Sequence, residues 1–356
     1  MSQKVGDSVG VGDSVGAVGR DKLTGRRPDR NKKRTVSFFV SVLLVACGSS
    51  QTPAAAPAHV EVVSRPAATP EVLRGEQLLA KGQVKEAWTV FEEVIAKDPQ
   101  DARAWLDLGL VYEEMGDQPA AEKAYRRSTE IDGNFAEAYN NLGVLLRERG
   151  KLAEAIPMLE RAATLDPRLA PARFNLALAY EDAGEPDKAE REYLATIEAL
   201  PNDPIPRINL AMLYLDTNRP DDAADQLRAS APRVRRDVLL STAVGGALRR
   251  AGDANLAVEV LRGVLEYASD PPPTELLAEL ALALYATGEL RAAENTMRRA
   301  IRQEPKDPAL QYALGTILVK RGELDEARRR LKRVVKLDPD GPYADRARAQ
   351  IRSIKQ

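Results

Sequence analysis

A period of 34 residues runs through most of this chain and constrains its fold more than any other feature. When 34-residue blocks start at residue 68, with two extra residues admitted near Pro272, position 20 of every block is alanine. These residues are Ala87, Ala121, Ala155, Ala189, Ala223, Ala257, Ala293 and Ala327. Chance would give such a column less than about once in a million chains, so the period indicates a structural repeat.

Two further positions of the block are fixed by size. Position 8 is small: Gly75, Gly109, Gly143, Ala177, Ala211, Gly245, Ala281 and Gly315. Position 24 is large: Phe91, Tyr125, Leu159, Tyr193, Leu227, Leu261, Met297 and Leu331. We expect two antiparallel helices per block that approach closely at the small residues, with the large side chains filling the seam. Position 32 is often proline, which ends the second helix.

These residues carry a resemblance to a known family. Residues 138–167, which begin Ala-Tyr-Asn-Asn-Leu-Gly and end Leu-Asp-Pro, closely resemble the tetratricopeptide repeat. The resemblance covers residues 68–341 and implies an all-α solenoid, a right-handed superhelix of about eight helix pairs whose first helices line the concave face. We expect residues 342–356 to form a C-terminal capping helix, with Pro342 in its first turn.

Repeat five and the junction between repeats six and seven depart from the pattern. Asn218 stands where the other turns have glycine, and Pro232 predicts a shortened second helix in repeat five. Residues 233–236 read Arg-Val-Arg-Arg and should follow that helix as a loop, either solvated or in contact with an acidic partner or phospholipid. The insertion at residues 270–273 is a predicted hinge for the last two repeats.

The beginning of the chain reads as a targeting segment. Residues 1–47 carry nine Lys and Arg against four Asp, whereas the remaining 309 residues carry 43 against 49 Asp and Glu. The apolar run at residues 36–46 is shorter than the about 20 residues of a membrane-spanning helix and suits a signal peptide. Leu-Val-Ala-Cys-Gly, ending at Gly48, resembles the lipobox of bacterial lipoproteins. The resemblance implies removal of residues 1–46 and a diacylglycerol on Cys47.

A short buried helix with an isolated cysteine is the alternative interpretation of that run. The lipoprotein interpretation makes residues 47–69 a lipidated cysteine followed by an Ala/Pro-rich tether, with the repeat array at 70–341. It predicts a bacterial cell-envelope protein, at the outer membrane facing the periplasm because Gly48 rather than Asp follows the cysteine. The inner membrane stays open as an alternative.

Composition argues against most enzyme classes. The chain has one Cys and one His, His59, so it offers no internal disulfide, Cys-rich zinc or iron–sulfur site, or His cluster. Two Gly-x-Ser-x-Gly matches at residues 6–16 lack the strand and helix that a hydrolase nucleophile needs. We therefore predict no enzymatic activity, no cofactor, no metal, no nucleic acid and no small-molecule substrate.

The first helices supply candidate peptide-binding residues. Position 6 is Asn141, Asn175 and Asn209 in successive repeats, similar to the asparagine ladder of O-GlcNAc transferase, which binds peptide backbone. The alternative is that these asparagines cap or decorate a solvated helix. Apolar neighbours at positions 5 and 9 are Leu106, Leu110, Val144, Phe174, Leu178, Ile208 and Met212.

Acidic residues follow at positions 12 and 13: Glu113, Glu114, Glu148, Glu181, Asp182 and Asp216. They form either a solvated face or a rim that selects a partner segment with Lys or Arg beside apolar anchors. Trp88 and Trp105 are predicted to lie in the core.

The sequence therefore predicts a lipid-anchored scaffold that binds a protein partner or extended peptide. Its architecture is similar to that of type IV pilus pilotin-type tetratricopeptide lipoproteins, which implies assembly of a pilus, secretion or motility complex. The alternative is a substrate-recruiting adaptor or subunit of an envelope enzyme such as a cell-wall hydrolase.

Overall fold

The computed structural model describes residues 66–354, which contain seventeen α-helices and no β-strand. This confirms the all-α repeat fold. The predicted signal peptide, Cys47, His59 and most of the predicted tether lie outside the described residues. Among the helices that are described, none combines the length and the apolar character needed to cross a membrane.

The chain divides into two compact units. The unit that ends at Pro201 contains α1 (Pro70–Ala80), α2 (Val84–Lys97), α3 (Ala102–Met115), α4 (Gln118–Ile131), α5 (Ala136–Glu148), α6 (Leu152–Leu165), α7 (Ala170–Asp182) and α8 (Pro186–Ala199). We call it the first unit.

The second unit starts at Asn202. It contains α9 (Pro204–Asp216), α10 (Pro220–Val234), α11 (Val238–Arg250), α12 (Ala254–Val264), α13 (Thr274–Ala286), α14 (Leu290–Gln303), α15 (Pro308–Arg321), α16 (Leu324–Leu337) and α17 (Ala344–Ser353). A 3₁₀ turn at Leu265–Tyr267 follows α12. The hinge at residues 270–273 stays a prediction.

Each repeat is held by a seam between its own two helices. A β-carbon placed on Gly143 of α5 would lie 2.5 Å from Cγ of Leu159 on α6. One placed on Gly315 of α15 would lie 2.8 Å from Cδ2 of Leu331 on α16. Because no larger side chain fits without movement, the small residue at position 8 accepts the large residue at position 24. The roles predicted for these two positions are confirmed.

The turn between the paired helices needs a residue with positive φ. Gly116 ends α3 with a φ of 78°, and Asn218 follows α9 with a φ of 60°. Asparagine tolerates the left-handed region better than other residues with a side chain, so Asn218 replaces the turn glycine without changing the turn.

The prediction that Pro232 shortens its helix is wrong. Helix α10 continues to Val234 and is 15 residues long. Pro232 lies in the last turn, where it interrupts the ladder only once, and Arg233 Nη1 donates to the carbonyl of Ala229 at 2.6 Å. Arg233 is therefore helical rather than part of a loop, and the guanidinium of Arg236 lies 5.8 Å from the ring centroid of Tyr267.

The two tryptophans differ from the prediction that both lie in the core. Trp88 is 38% exposed, so that prediction is wrong for it. The neighbouring Ala87 occupies the seam, which leaves Trp88 at the edge, where Nε1 donates to the Tyr112 hydroxyl at 3.5 Å. Trp105 is half-buried against the core and donates to the carbonyl of Pro99 at 3.1 Å.

The last helix, α17, covers the apolar end of the second unit. Its Ala347 is buried against Leu331 and Val334 of α16, and the rings of Tyr343 and Tyr312 are 5.5 Å apart. Helix α17 begins at Ala344, so Pro342 lies in the preceding turn and not in the first turn of the helix.

Candidate protein-binding face

In the first unit, polar contacts join the first helices of successive repeats. Arg103 of α3 donates through Nη2 to Glu76 Oε1 of α1 at 2.6 Å. Arg147 of α5 donates through Nε to Asp182 Oδ2 of α7 at 2.9 Å. These contacts join α1 to α3 and α5 to α7, and Leu106 of α3 shares a core cluster with Leu142 of α5. We call the surface formed by positions 9, 12 and 13 of α3, α5 and α7 the first-helix face.

The asparagines of position 6 form hydrogen bonds inside the chain. Asn175 is 5% exposed, and its Nδ2 donates to Asn140 Oδ1 at 2.9 Å. Asn140 is buried and donates in turn to Asn141 Oδ1 at 3.0 Å. In the second unit, Asn209 is 4% exposed and donates to the carbonyl of Ile205 at 2.9 Å. Only Asn141 is partly exposed.

Asn175 and Asn209 therefore differ from both interpretations of the sequence, because they neither decorate a solvated surface nor present free amides. The Asn175–Asn140 bond ties α7 to α5. Sequence reasoning missed Asn140, although the adjacent asparagines at positions 5 and 6 of repeat three were a usable signal.

The candidate apolar residues separate into two groups. Leu106 and Ile208 are each 1% exposed and belong to the core, so neither is retained as a surface residue. The partly exposed residues are Leu110 on α3, Val144 on α5, Phe174 and Leu178 on α7, and Met212 on α9 of the second unit. Three of these, at position 9 of successive first helices, form an apolar row on the first-helix face.

Carboxylates lie beside that row. The Tyr125 hydroxyl donates to Glu113 Oε2, and the Tyr193 hydroxyl donates to Glu181 Oε2 at 2.9 Å, so positions 24 and 12 interact in the same way in two repeats. Burial raises the pKa of Glu113 to about 7, with Glu148 and Glu114 adding to the rise and the Tyr125 hydrogen bond opposing it. Partial desolvation of its carboxylate also raises the pKa of Glu148, and the nearby Arg147 opposes that rise.

The pKa of Glu113 predicts a pH-dependent stability. Between its ordinary value of 4.5 and about 7, the folded chain holds a proton that the unfolded chain releases, so this group's contribution to stability is lost as pH rises. We expect wild type to lose up to about 3 kcal/mol more than Glu113→Gln between about pH 4.5 and about pH 8.

Urea unfolding followed by circular dichroism measures this difference across that range. The control is Glu93→Gln, at an exposed position of α2 that does not influence the pKa of Glu113, and it should keep the wild-type slope. Parallel curves for wild type and Glu113→Gln would contradict the prediction.

The chemistry of the face is that of binding. An apolar row flanked by carboxylates can bury a partner's side chains and attract its cations. Within residues 66–354, no group of His, Cys, Asp and Glu has the arrangement to hold a metal ion.

Sequence comparisons cover nearly all of the array. Models of the tetratricopeptide repeat match residues 72–134, 124–156, 146–205, 208–272, 248–313 and 290–351. No curated protein matches the chain.

Solved structures are similar to parts of this chain. PilW, described as a widely conserved type IV pilus biogenesis factor, is 20% identical with a TM-score of 0.52 over 58% of this chain and 94% of PilW. PilF of Pseudomonas aeruginosa is 21% identical, with a TM-score of 0.49 over 55% and 93%. A tetratricopeptide protein of Thermus thermophilus is 29% identical, with a TM-score of 0.41 over 50% and 97%. The likeness concerns the fold.

Proposed function

Because this chain belongs to the tetratricopeptide repeat family, we propose that it is a non-enzymatic scaffold held at a bacterial envelope membrane by a lipid on Cys47. Repeats of this family bind other proteins on a surface that the stacked helices leave free. The proposed partner is an envelope protein, bound for the assembly of a pilus, secretion or motility complex. The proposed location is the periplasmic side of the outer membrane.

The observation that carries the proposal is the first-helix face. Leu110, Val144 and Leu178 are partly exposed in register on three successive repeats, and Glu114 and Glu148 are exposed beside them. A regular row of apolar side chains suits an extended or helical segment with repeated anchors. The carboxylates favour a segment that carries Lys or Arg between those anchors.

The anchor is supported by the sequence around Cys47. A basic stretch, an apolar run of eleven residues and small residues precede this cysteine, which is the only one in the chain. Acyl chains at about 0.8 kcal/mol per buried methylene hold a protein stably on a membrane when more than one is present.

Crosslinking in cells, followed by co-purification and mass spectrometry, tests the proposal. We expect wild type to capture one envelope protein, and Glu114→Lys with Glu148→Lys to lose it because the rim then repels the partner's cations. The matched control, Glu93→Lys with Glu198→Lys, makes the same charge change at exposed positions outside the face and should keep the partner. Cys47→Ser should leave the membrane fraction.

Equal capture by all variants would contradict the role of the first-helix face in binding. A Cys47→Ser protein that stays in the membrane fraction would contradict the lipid anchor. The captured protein also separates the two functions predicted from the sequence. A structural component of an envelope machine supports the assembly scaffold, whereas a cell-wall hydrolase supports the substrate-recruiting adaptor.

A further inference from the structure

The near-neutral total charge of the chain conceals two oppositely charged parts. Residues 66–201, the described part of the first unit, carry 16 Lys and Arg against 26 Asp and Glu. Residues 290–354, at the end of the second unit, carry 16 Lys and Arg against nine Asp and Glu. The repeat array therefore begins acidic and ends basic.

The excess positive charge lies on the outside of two helices. Exposed basic side chains occur on α14 and α16: Arg291, Arg299, Arg302, Arg329, Lys332, Arg333 and Lys336. Their spacings of three, four, seven, eight and eleven residues place them on one side of each helix. Helices α14 and α16 are linked by Arg298, whose Nη2 donates to Glu326 Oε2 at 2.9 Å. We call the seven residues the basic face.

Carboxylates of the same region do not neutralise this face. Glu326 binds Arg298 and Arg330, at 2.9 and 3.2 Å, and Glu323 binds Arg321 at 2.9 Å. In the part of the chain that the structure describes, none of the seven basic-face residues has a carboxylate within ion-pair distance. Like charges three or four residues apart destabilise a helix by about 0.2–0.5 kcal/mol per pair, so the face favours a counter-charge from outside.

A matching acidic surface exists on the chain itself. Glu113, Glu114 and Glu148 lie close enough at the ends of α3 and α5 to interact electrostatically. They adjoin the partly exposed Leu110 and Val144. The two surfaces are thus complementary in charge.

We propose that copies of this chain associate head to tail, with the basic face of one copy docked on the first-helix face of the next. The inference rests on the proposed function because it assigns a partner to the same first-helix face. The two surfaces differ, so the contact is heterologous and leaves one free surface of each kind at the ends of an assembly. A row of copies would then place successive scaffolds along the membrane that anchors them.

Sedimentation of the detergent-purified full chain tests the association. We expect assemblies at about 0.05 M NaCl that dissociate at about 0.5 M, where the Debye length falls below about 5 Å. Arg329→Glu with Lys332→Glu and Lys336→Glu should weaken association by about tenfold or more, because reversed charges repel the acidic rim. Glu is as good a helix former as Lys and Arg, so the fold should be retained.

Mixing two variants gives the decisive measurement. Neither the triple reversal nor Glu114→Lys with Glu148→Lys should assemble alone, but their mixture should, since each reversed surface then meets a reversed partner. The matched control Lys85→Glu with Lys123→Glu and Arg191→Glu makes the same charge change at exposed positions of the first unit and should still assemble.

A wild-type chain that stays monomeric at about 0.05 M NaCl, where screening is weak, would overturn the inference. A mixture that fails to assemble would also overturn it, as would assembly of the triple reversal. Binding of wild type to vesicles of anionic lipid, with no self-association, would assign the basic face to the membrane instead.

Failure here is distinguishable from failure of the proposed function. The triple reversal leaves the first-helix face intact and should capture the envelope partner at least as well as wild type. Capture without self-association would leave the proposed function standing alone. Self-association without capture would leave a self-assembling scaffold with no second partner.

Discussion

Gly143→Val is expected to destabilise the third repeat by about 3 kcal/mol or more, because the seam has no room for a branched side chain. Its β-carbon alone would lie 2.5 Å from Leu159 Cγ and 3.3 Å from the backbone oxygen of Ala155. Leu159 is fully buried, so it cannot swing into solvent. Relief requires separation of α5 from α6, which would open the core around Leu142 and Leu146.

Valine is the informative substitution at this position. Alanine would recover up to about 1 kcal/mol of helix propensity and partly hide the clash. Urea unfolding, with hydrogen exchange of α5 and α6 to locate the effect, measures the loss. The control is Gly263→Ala on α12, where an added β-carbon meets no atom within 4 Å and should stabilise the helix by about 0.5 kcal/mol. Similar changes in the free energy of unfolding for Gly143→Val and Gly263→Ala would contradict the close contact between α5 and α6.

Ala347→Asp should release the capping helix α17 from the second unit at a cost of about 3 kcal/mol. Ala347 is fully buried between Leu331 and Val334, and a carboxylate there would lose its water without gaining a described partner. Detachment lets the carboxylate regain water but exposes the apolar side of α16. We therefore expect faster hydrogen exchange in α17 and lower solubility.

Ala349→Asp is the matched control, since it makes the same substitution at an exposed position of the same helix. In this variant the backbone amides of α17 should exchange hydrogen at the wild-type rate. Limited proteolysis gives a second readout, because α17 contains Arg346, Arg348 and Arg352, which trypsin can cut only when the helix is released. Equal protection of α17 in both variants would show that it does not cover the core as described.

The fold could be predicted because the repeat imposes the same physical requirements many times over. A single small and large pair such as Gly143 and Leu159 would be weak evidence for contact between two helices. The same pair of sizes recurs in every block, and that recurrence identifies both helices and their spacing. The turn at Asn218 could be predicted in the same way. Its place in the block indicates a turn, although the other blocks have glycine there. Pro232 shows the limit of such rules, because its place in the last turn of α10 lets the helix continue to Val234 although proline usually ends a helix.

The candidate site was harder to predict because helix periodicity does not say how far neighbouring helices bury a given side chain. Position 5 holds Leu106 in the core and Phe174 partly at the surface. Position 6 holds Asn175, whose burial depends on the hydrogen bond that Asn140 provides from the preceding repeat. The net charge of the whole repeat array does not reveal the basic face, because the acidic first repeats mask the positive charge of residues 290–354.

The seam at positions 8 and 24 has an evolutionary consequence. The cavity at Gly143 and the side chain of Leu159 that fills it belong to one stretch of 34 residues, and the same holds for Gly315 and Leu331. A duplicated stretch of DNA would carry both halves of the fit together, so an added repeat would arrive already packed. Arrays of this kind can therefore lengthen by unequal recombination without compensating mutations in the interior of each repeat, and selection acts mainly on the surfaces between and around the copies.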